Sequence, residues 1–326
     1  MITTNLFQQV LIDPALNECD RLLIISGYAS SAMAFHHLTE LKNRGNEIAK
    51  INLIIGMSST DGISLSNHKG FREIMEREFP ERFICSYRPT RPPVHSKVYL
   101  WLSGNEPKLA FLGSPNYSQF AFNENRQMEA VLECPPQEAL EYYESMVDDS
   151  IYCTHPDSEN IIQIFNDRFI RRPERIIVEQ AELETALPAN IETLESVRVS
   201  LLDRNGNIHN RAGLNWGQRP GREPNQAYLQ LSPSVYKSNF FPLRSIHFTV
   251  FTDDNKTFIC TRAHKNPMGA GIETPQNNSL IGEYFRNRLG LPNGAFVRKE
   301  DLIRYGRTEV TFYKIDDENY YMDFST

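Results

Sequence analysis

The chain has no apolar run approaching the roughly 20 residues that a membrane-spanning helix needs. Its opening, MITTNLFQQVLIDPALNECD, lacks the basic stretch and apolar core of a secretory leader. No membrane partner is expected, and the location read from this is cytoplasmic. Cysteine is scarce. The five residues Cys19, Cys85, Cys134, Cys153 and Cys260 are odd in number, widely spaced and free of CxxC pairs, which leaves neither a disulfide framework nor structural zinc in prospect. There is no internal repeat and no low-complexity tract. Basic charge is also in deficit, with 34 Lys and Arg against 41 Asp and Glu and a net charge of -7, which taken whole argues against a nucleic-acid partner.

What is present is enough apolar material for two cores. The 326 residues exceed what one core usually supports, and 40% hydrophobic, 11% aromatic and 23% charged residues describe a folded globular protein. Charge divides with position. Residues 1–175 hold 17 basic and 23 acidic side chains, residues 176–196 hold none and five, and residues 197–326 hold 17 and 13, so the net values are -6, -5 and +4. An acidic front, an acidic connector and a basic back indicate separate tasks.

Within residues 1–175, short apolar runs alternate with amphipathic stretches. Strands are expected at 22–25, 51–55, 83–87, 98–101, 109–112 and 129–132, and helices at 33–43, 70–78, 136–148 and 159–169. This is the pattern of an α/β sandwich with helices on the faces of a sheet. Residues 176–196 carry five glutamates and no basic residue, and form the connector. Behind it, strands at 197–202, 227–231, 246–251, 258–261, 309–315 and 320–324, with a helix at 279–288, suggest a small barrel. The expected class is thus α/β followed by β.

The chemistry concentrates in VHSKVYLWLSGNEPKLAFLGSPNYSQF. His95 and Lys97 stand two apart and are expected on one face of a strand. A turn at 103–107 returns the chain to Gly113, Ser114 and Asn116, and Glu129 follows. A neutral imidazole nucleophile, an ammonium and uncharged donors can stabilise a transferring phosphoryl group, with a carboxylate to orient the imidazole. HxK or GSxN alone is common. The ordering HxK, 15 residues, GSxN and then a glutamate 13 positions beyond the asparagine is specific. The adjacent His36 and His37, on a predicted helix, face different directions and are not expected to hold a metal.

The HxK–GSxN–Glu arrangement resembles the nuclease branch of the phospholipase D superfamily. That resemblance implies a covalent phosphohistidine, with one histidine attacking phosphorus and a second serving as acid and base. It gives His95 one of these roles, puts Lys97 and Asn116 on phosphate oxygens, Ser114 in the phosphate pocket and Glu129 behind His95. The phospholipase pattern has an aspartate five positions after the lysine, where this chain has Leu102. Only one motif is present and the superfamily site uses two, which implies a homodimer sharing one site. Neither cofactor nor metal is expected.

In the basic back half, two turn-rich segments hold side chains that hydrogen-bond to base edges. The first carries Arg211, Asn215, Trp216, Gln218, Arg219 and Arg222; the second carries Arg262, His264, Lys265 and Asn266. Arg286, Arg288, Arg304 and Arg307 are expected as phosphate contacts or solvated helix positions. GLNWGQRPGREPNQAYLQL and the stretch from NNSLIGEYF to VTFYKI resemble the C-terminal domain of NgoFVII-family restriction endonucleases, which are BfiI-like in architecture. That domain is similar to the DNA-binding pseudobarrel of plant B-three transcription factors. The resemblance spans essentially the whole chain. It implies a bacterial type II enzyme that cuts double-stranded DNA without a metal, and at family level it admits a separate helicase-like subunit and a cognate DNA methyltransferase. A DNA-binding regulator with a degenerate nuclease half, and a phosphodiesterase or phospholipase, are the other classes compatible with these motifs.

Overall fold

The computed structural model describes residues 1–165, 194–244, 246–254, 256–263, 269–275 and 277–326. They form two compact units, residues 1–165 and residues 194–326. The connector proposed at 176–196 lies outside the described residues except for its last three, as do His264, Lys265 and Asn266.

The first unit is built on nine strands: β1 (Arg21–Ser26), β2 (Lys50–Ile55), β3 (Ile63–Ser64), β4 (Phe83–Tyr87), β5 (Val98–Ser103), β6 (Glu106–Gly113), β7 (Val131–Cys134), β8 (Ile151–Tyr152) and β9 (Ile164–Phe165). Seven make one sheet in the order β7-β6-β5-β1-β2-β4-β8, and β3 pairs with β9 alone. β1, β2 and β4 run parallel; β5 is antiparallel to β1, and β6 and β7 continue antiparallel. The sequence RLLIIS explains the central place of β1. Leu22, Ile24 and Ile25 have no exposed surface and Leu23 has 6%, so both sheet faces are covered. Leu23, Ile25, Leu100 and Ala110 pack with Ala139 and Tyr143 of the helix Pro136–Val147. On the opposite face Trp101 donates its indole N–H to the Val10 carbonyl at 2.8 Å, and His37 of the helix Ser31–Asn43 reaches the Leu11 carbonyl at 2.8 Å. Ser30 caps that helix by accepting from the Met33 N–H at 3.2 Å.

The second unit contains β10 (Ser196–Ser200), β11 (Leu229–Gln230), β12 (His247–Thr252), β13 (Thr257–Ala263), β14 (Gly271–Glu273), β15 (Glu309–Lys314) and β16 (Asn319–Asp323), in the order β10-β15-β16-β12-β13-β14-β11. All pairings are antiparallel except β12 with β16. The end strands β10 and β11 come into contact, which curls the sheet toward a barrel. Phe240, Phe241, Phe248, Phe312 and Tyr320 fill it, with Phe285 from the helix Ser279–Arg288.

Several expected boundaries move. The helix expected at 159–169 is one turn, Ser158–Ile161, followed by β9, because the Ile162 carbonyl end leaves helical backbone for ψ 133°; residues 166–169 lie outside the described residues. The strand expected at 129–132 begins at Val131, leaving Glu129 in the loop before it. A helix not foreseen, Lys299–Tyr305, starts with the Asp301 carboxylate accepting from the Arg298 N–H at 2.8 Å and ends at Gly306 with φ 99°.

Candidate functional site

Four chain segments converge on one edge of the first sheet. β1 and β5 are antiparallel with Ile25 opposite Val98, so the end of β1 lies beside the start of β5. β6 returns with Leu112 opposite Val98, and β7 leaves with Val131 opposite Gly113. Tyr28, His95, Lys97, Ser114, Asn116 and Glu129 all sit within three residues of these ends. This is the carboxyl end of the parallel strands, where open α/β sheets place their ligands.

His95 and Lys97 lie in extended chain just ahead of β5 rather than within it. The segment is pinned on two sides. The Val94 N–H donates to the Gly56 carbonyl at 3.0 Å, and the Lys97 carbonyl accepts from the Gly113 N–H at 3.1 Å. Their side chains meet: Lys97 Nζ is 3.2 Å from each ring nitrogen of His95. An ammonium can only donate, so the imidazole is the acceptor in this contact. Lys97 is 5% exposed, whereas His95 is exposed to solvent and open to a substrate.

Ser114 and Glu129 form the second contact. Ser114 Oγ donates to Glu129 Oε2 and accepts from the Ala130 N–H at 3.1 Å. Glu129 is 8% exposed. Asn116 completes the edge, with Oδ1 accepting from the Tyr28 N–H at 3.2 Å and Ser26 Oγ at 3.4 Å away. The loop that carries it is held from below by Tyr99, whose hydroxyl donates to the Pro115 carbonyl at 2.7 Å. Its other neighbour is Tyr117, whose hydroxyl lies 3.0 Å from His37 Nδ1. Since His37 Nε2 must donate to the Leu11 carbonyl, Nδ1 accepts and the ring is neutral; burial pushes its pKa down to about 3. His37 thus supports the site from the core. Among the described residues no group of three or more His, Cys, Asp and Glu side chains could hold a metal ion.

All five residues singled out in the first half are therefore brought together. The second half divides. In the loop around 211–222, a 3-10 turn at Gly213–Gln218 leaves Arg211, Arg219 and Arg222 exposed. The Arg222 guanidinium lies 3.8 Å over the Trp216 ring and donates to Gln226 Oε1 at 2.9 Å; Arg219 Nε donates to the Arg211 carbonyl at 2.7 Å. Asn215 corrects the expectation of a base contact. It has no exposed surface, its Nδ2 donates to the carbonyls of Val297 at 2.8 Å and His209 at 3.1 Å, and its Oδ1 accepts from the Val297 N–H at 2.9 Å. It ties the loop to the barrel. Gln218 does the same in part, its Nε2 bonding the carbonyls of Pro224 and Gly294, both at 3.1 Å.

Arg262 is a second correction. At 3% exposed, it donates to the carbonyls of Tyr236 at 2.6 Å, Gly269 at 2.9 Å and Pro242 at 3.2 Å, and so closes the base of the other loop. Arg286, expected at the surface, is fully buried on the carbonyls of Ala295, Gly282, Leu214 and Pro224. Arg288 is committed to Asp253 at 2.7 Å, Arg304 to Asp301 at 2.8 Å and Arg307 to Asp323 at 2.8 Å. Arginine count in the sequence does not separate the carbonyl-bound Arg262 and Arg286 from solvent-facing arginines, because most of their partners are backbone oxygens from other segments.

Comparison with known proteins gives each half a relative. Residues 4–160 match the NgoFVII restriction endonuclease N-terminal PLD domain, and residues 189–316 match the NgoFVII C-terminal B3-like DNA-binding domain. No curated protein matches the sequence. Among solved structures, NucT from Helicobacter pylori is similar at 16% identity and a TM-score of 0.33, over 46% of this chain and 96% of its own. Polyphosphate kinase from Porphyromonas gingivalis is similar at 12% identity and a TM-score of 0.30, over 48% of this chain and 24% of its own. With both of its domains matched in order over most of the sequence, the chain belongs to the NgoFVII restriction endonuclease family, a restriction endonuclease of the phospholipase D superfamily that carries a B3-like DNA-binding domain.

Proposed function

We propose that the chain is a type II, sequence-specific endonuclease that hydrolyses double-stranded DNA through a phosphohistidine, without a metal, at a site shared by two copies. The observation that carries this is the meeting of His95, Lys97, Ser114, Asn116 and Glu129 at one sheet edge. A ring nitrogen of His95 attacks phosphorus in line, forming a P–N bond as the P–O bond to the leaving strand breaks. The departing oxygen takes a proton from the second copy's histidine. That histidine then accepts a proton from water, which attacks phosphorus and breaks the P–N bond, restoring His95. Lys97 and the Asn116 amide neutralise charge building on the non-bridging oxygens, a task for fixed donors. Glu129 and Ser114 hold each other and act as the carboxylate support of the pocket.

Arg211, Arg219 and Arg222 are the base- or phosphate-contacting side chains of this reading, with Trp216 as the platform on which the planar Arg222 fork stacks. Guanine-containing sites suit such forks. Residues 1–175 serve cleavage and dimerisation, 176–196 connect, and 197–326 recognise. A cognate DNA methyltransferase is the partner that a restriction role requires, in a bacterial cytoplasm.

The His95→Ala variant tests the assignment. Plasmid cleavage should be lost while binding to the recognised duplex, read by gel shift, stays within about twofold of the parent. Retained cleavage would remove His95 as the nucleophile.

A further inference from the structure

The histidine and the asparagine of this site share a neighbour that the motif does not contain. Tyr28 follows Gly27 beyond the end of β1, and its ring stands 6.0 Å from that of His95 at an interplanar angle of 79°. Edge-to-face pairs at this separation attract and prefer one relative orientation. The Tyr28 backbone is clamped to the same site, its N–H donating to Asn116 Oδ1 at 3.2 Å and its carbonyl accepting from Ser26 Oγ at 2.5 Å. Its hydroxyl donates to Asp61 Oδ2.

Asp61 is itself well founded. It ends the one-turn helix Ser58–Asp61, whose Ser58 is 1% exposed and donates to the carbonyl of Ile55 at 3.0 Å, with that of Arg88 at 2.9 Å. The turn is thus fixed to the ends of β2 and β4. His95, by contrast, is exposed, on extended chain ahead of β5. An in-line attack requires one orientation of that ring, and the Tyr28 edge contact favours one beside the Lys97 contact.

We propose that Tyr28, braced by Asp61, is a positioning residue that holds the His95 imidazole for attack on phosphorus. The hydroxyl is spent on the carboxylate, so the ring is the part that acts on His95 and the Asp61 bond is what keeps the ring in place. The proposal rests on the reading of His95 as nucleophile.

The test uses the full chain and follows formation of the covalent protein–DNA adduct in single turnover by acid quench, with duplex affinity measured beside it. Tyr28→Phe keeps the ring and loses the brace, and should slow adduct formation about 10-fold; Tyr28→Leu loses the ring and should slow it about 100-fold, the scale of a nucleophile misplaced by an ångström. Asp61→Ala should match Tyr28→Phe, and the double variant should be no slower than either single one, since both remove one interaction. Duplex affinity should stay within twofold throughout. The Phe variant preserves packing and keeps the test valid should the Leu variant melt early. Adduct rates within twofold of the parent in the Phe and Leu variants, or a loss that tracks weaker DNA binding, or Phe and Ala effects that multiply, would each overturn the positioning role. His95→Ala separates the two ideas: an adduct that still forms there removes the nucleophile reading itself, whatever the Tyr28 variants do.

Discussion

A methyl group added at Gly27 would stand 3.1 Å from His95 Cδ2 and 3.5 Å from Asn116 Oδ1. The backbone must pass that close for Tyr28 to reach both, so Gly27→Ala presses on the His95 ring. Cleavage should fall about 10- to 100-fold with the melting temperature little changed; a plasmid assay beside a thermal melt checks this, and an unaltered rate would show that the imidazole has room to spare. The loop around 211–222 contains two kinds of polar residue that a single substitution tells apart. Asn215→Ala leaves Val297 and His209 backbone groups without their buried partner and should cost roughly 1–3 kcal/mol of stability, read by denaturant unfolding, while the order of preference among DNA sites is kept. Arg222→Ala should do the reverse. The fold is untouched because the guanidinium is at the surface on Trp216, and affinity for the recognised site should drop by about 1–3 kcal/mol with relaxed discrimination at one base pair. Equal weakening on all sequences would make Arg222 a phosphate contact.

Strand ends, more than strand interiors, decide where the chemistry sits. Gly56 closes β2 against the segment carrying His95 and Lys97, and a Cβ there would fall 2.1 Å from the Val94 carbonyl oxygen. Gly56→Ala must displace that segment, so melting temperature and cleavage should fall together; cleavage preserved in a stable variant would show that the segment is free to shift. These ends also mark what was legible beforehand. The apolar runs of β1, β2, β4 and β5 are legible because strands covered on both faces need near-continuous apolar and aromatic residues. The HxK–GSxN–Glu spacing brings five residues to one end of the sheet because a two-residue turn, with Gly104 at φ 62°, and a bulge between Trp101 and Leu102 set the register of β5 on β6, and β7 pairs back onto β6. Asn215, Arg262 and Arg286 differ from expectation for the opposite reason: their partners are backbone groups 4 to 82 positions away, most of them from separate segments, and no local pattern encodes them. Tyr28 and Asp61 escaped notice on the same ground, being 33 positions apart and adjacent only through the sheet.

Across the molecule, the net charge of -7 conceals a basic recognition half and an acidic catalytic half, and the two should respond differently to solution conditions. Burial pushes His36 down to about 4 and His37 to about 3 in the first unit, and lowers His68 as well. Their folded values lie below the unfolded value of 6.5, so the unfolded chain binds more protons as the solution is acidified. The stabilisation is complete above about pH 6.5 and declines as pH falls toward about 3. Burial raises Glu78 of the same unit to about 7, which acts in the opposite sense, so the histidine part is read by comparison: between pH 7 and pH 5 the melting temperature should fall more, or rise less, in the parent than in His37→Gln, and equal slopes would contradict a neutral, core-bonded His37. The central claim, a histidine-centred nuclease directed by a barrel to one sequence, is tested most directly by sequencing the ends of plasmid DNA cut in excess chelator. The account predicts ends at a fixed distance from a single short motif, produced without added metal. Ends scattered over the plasmid, or no cutting until magnesium is supplied, would contradict it.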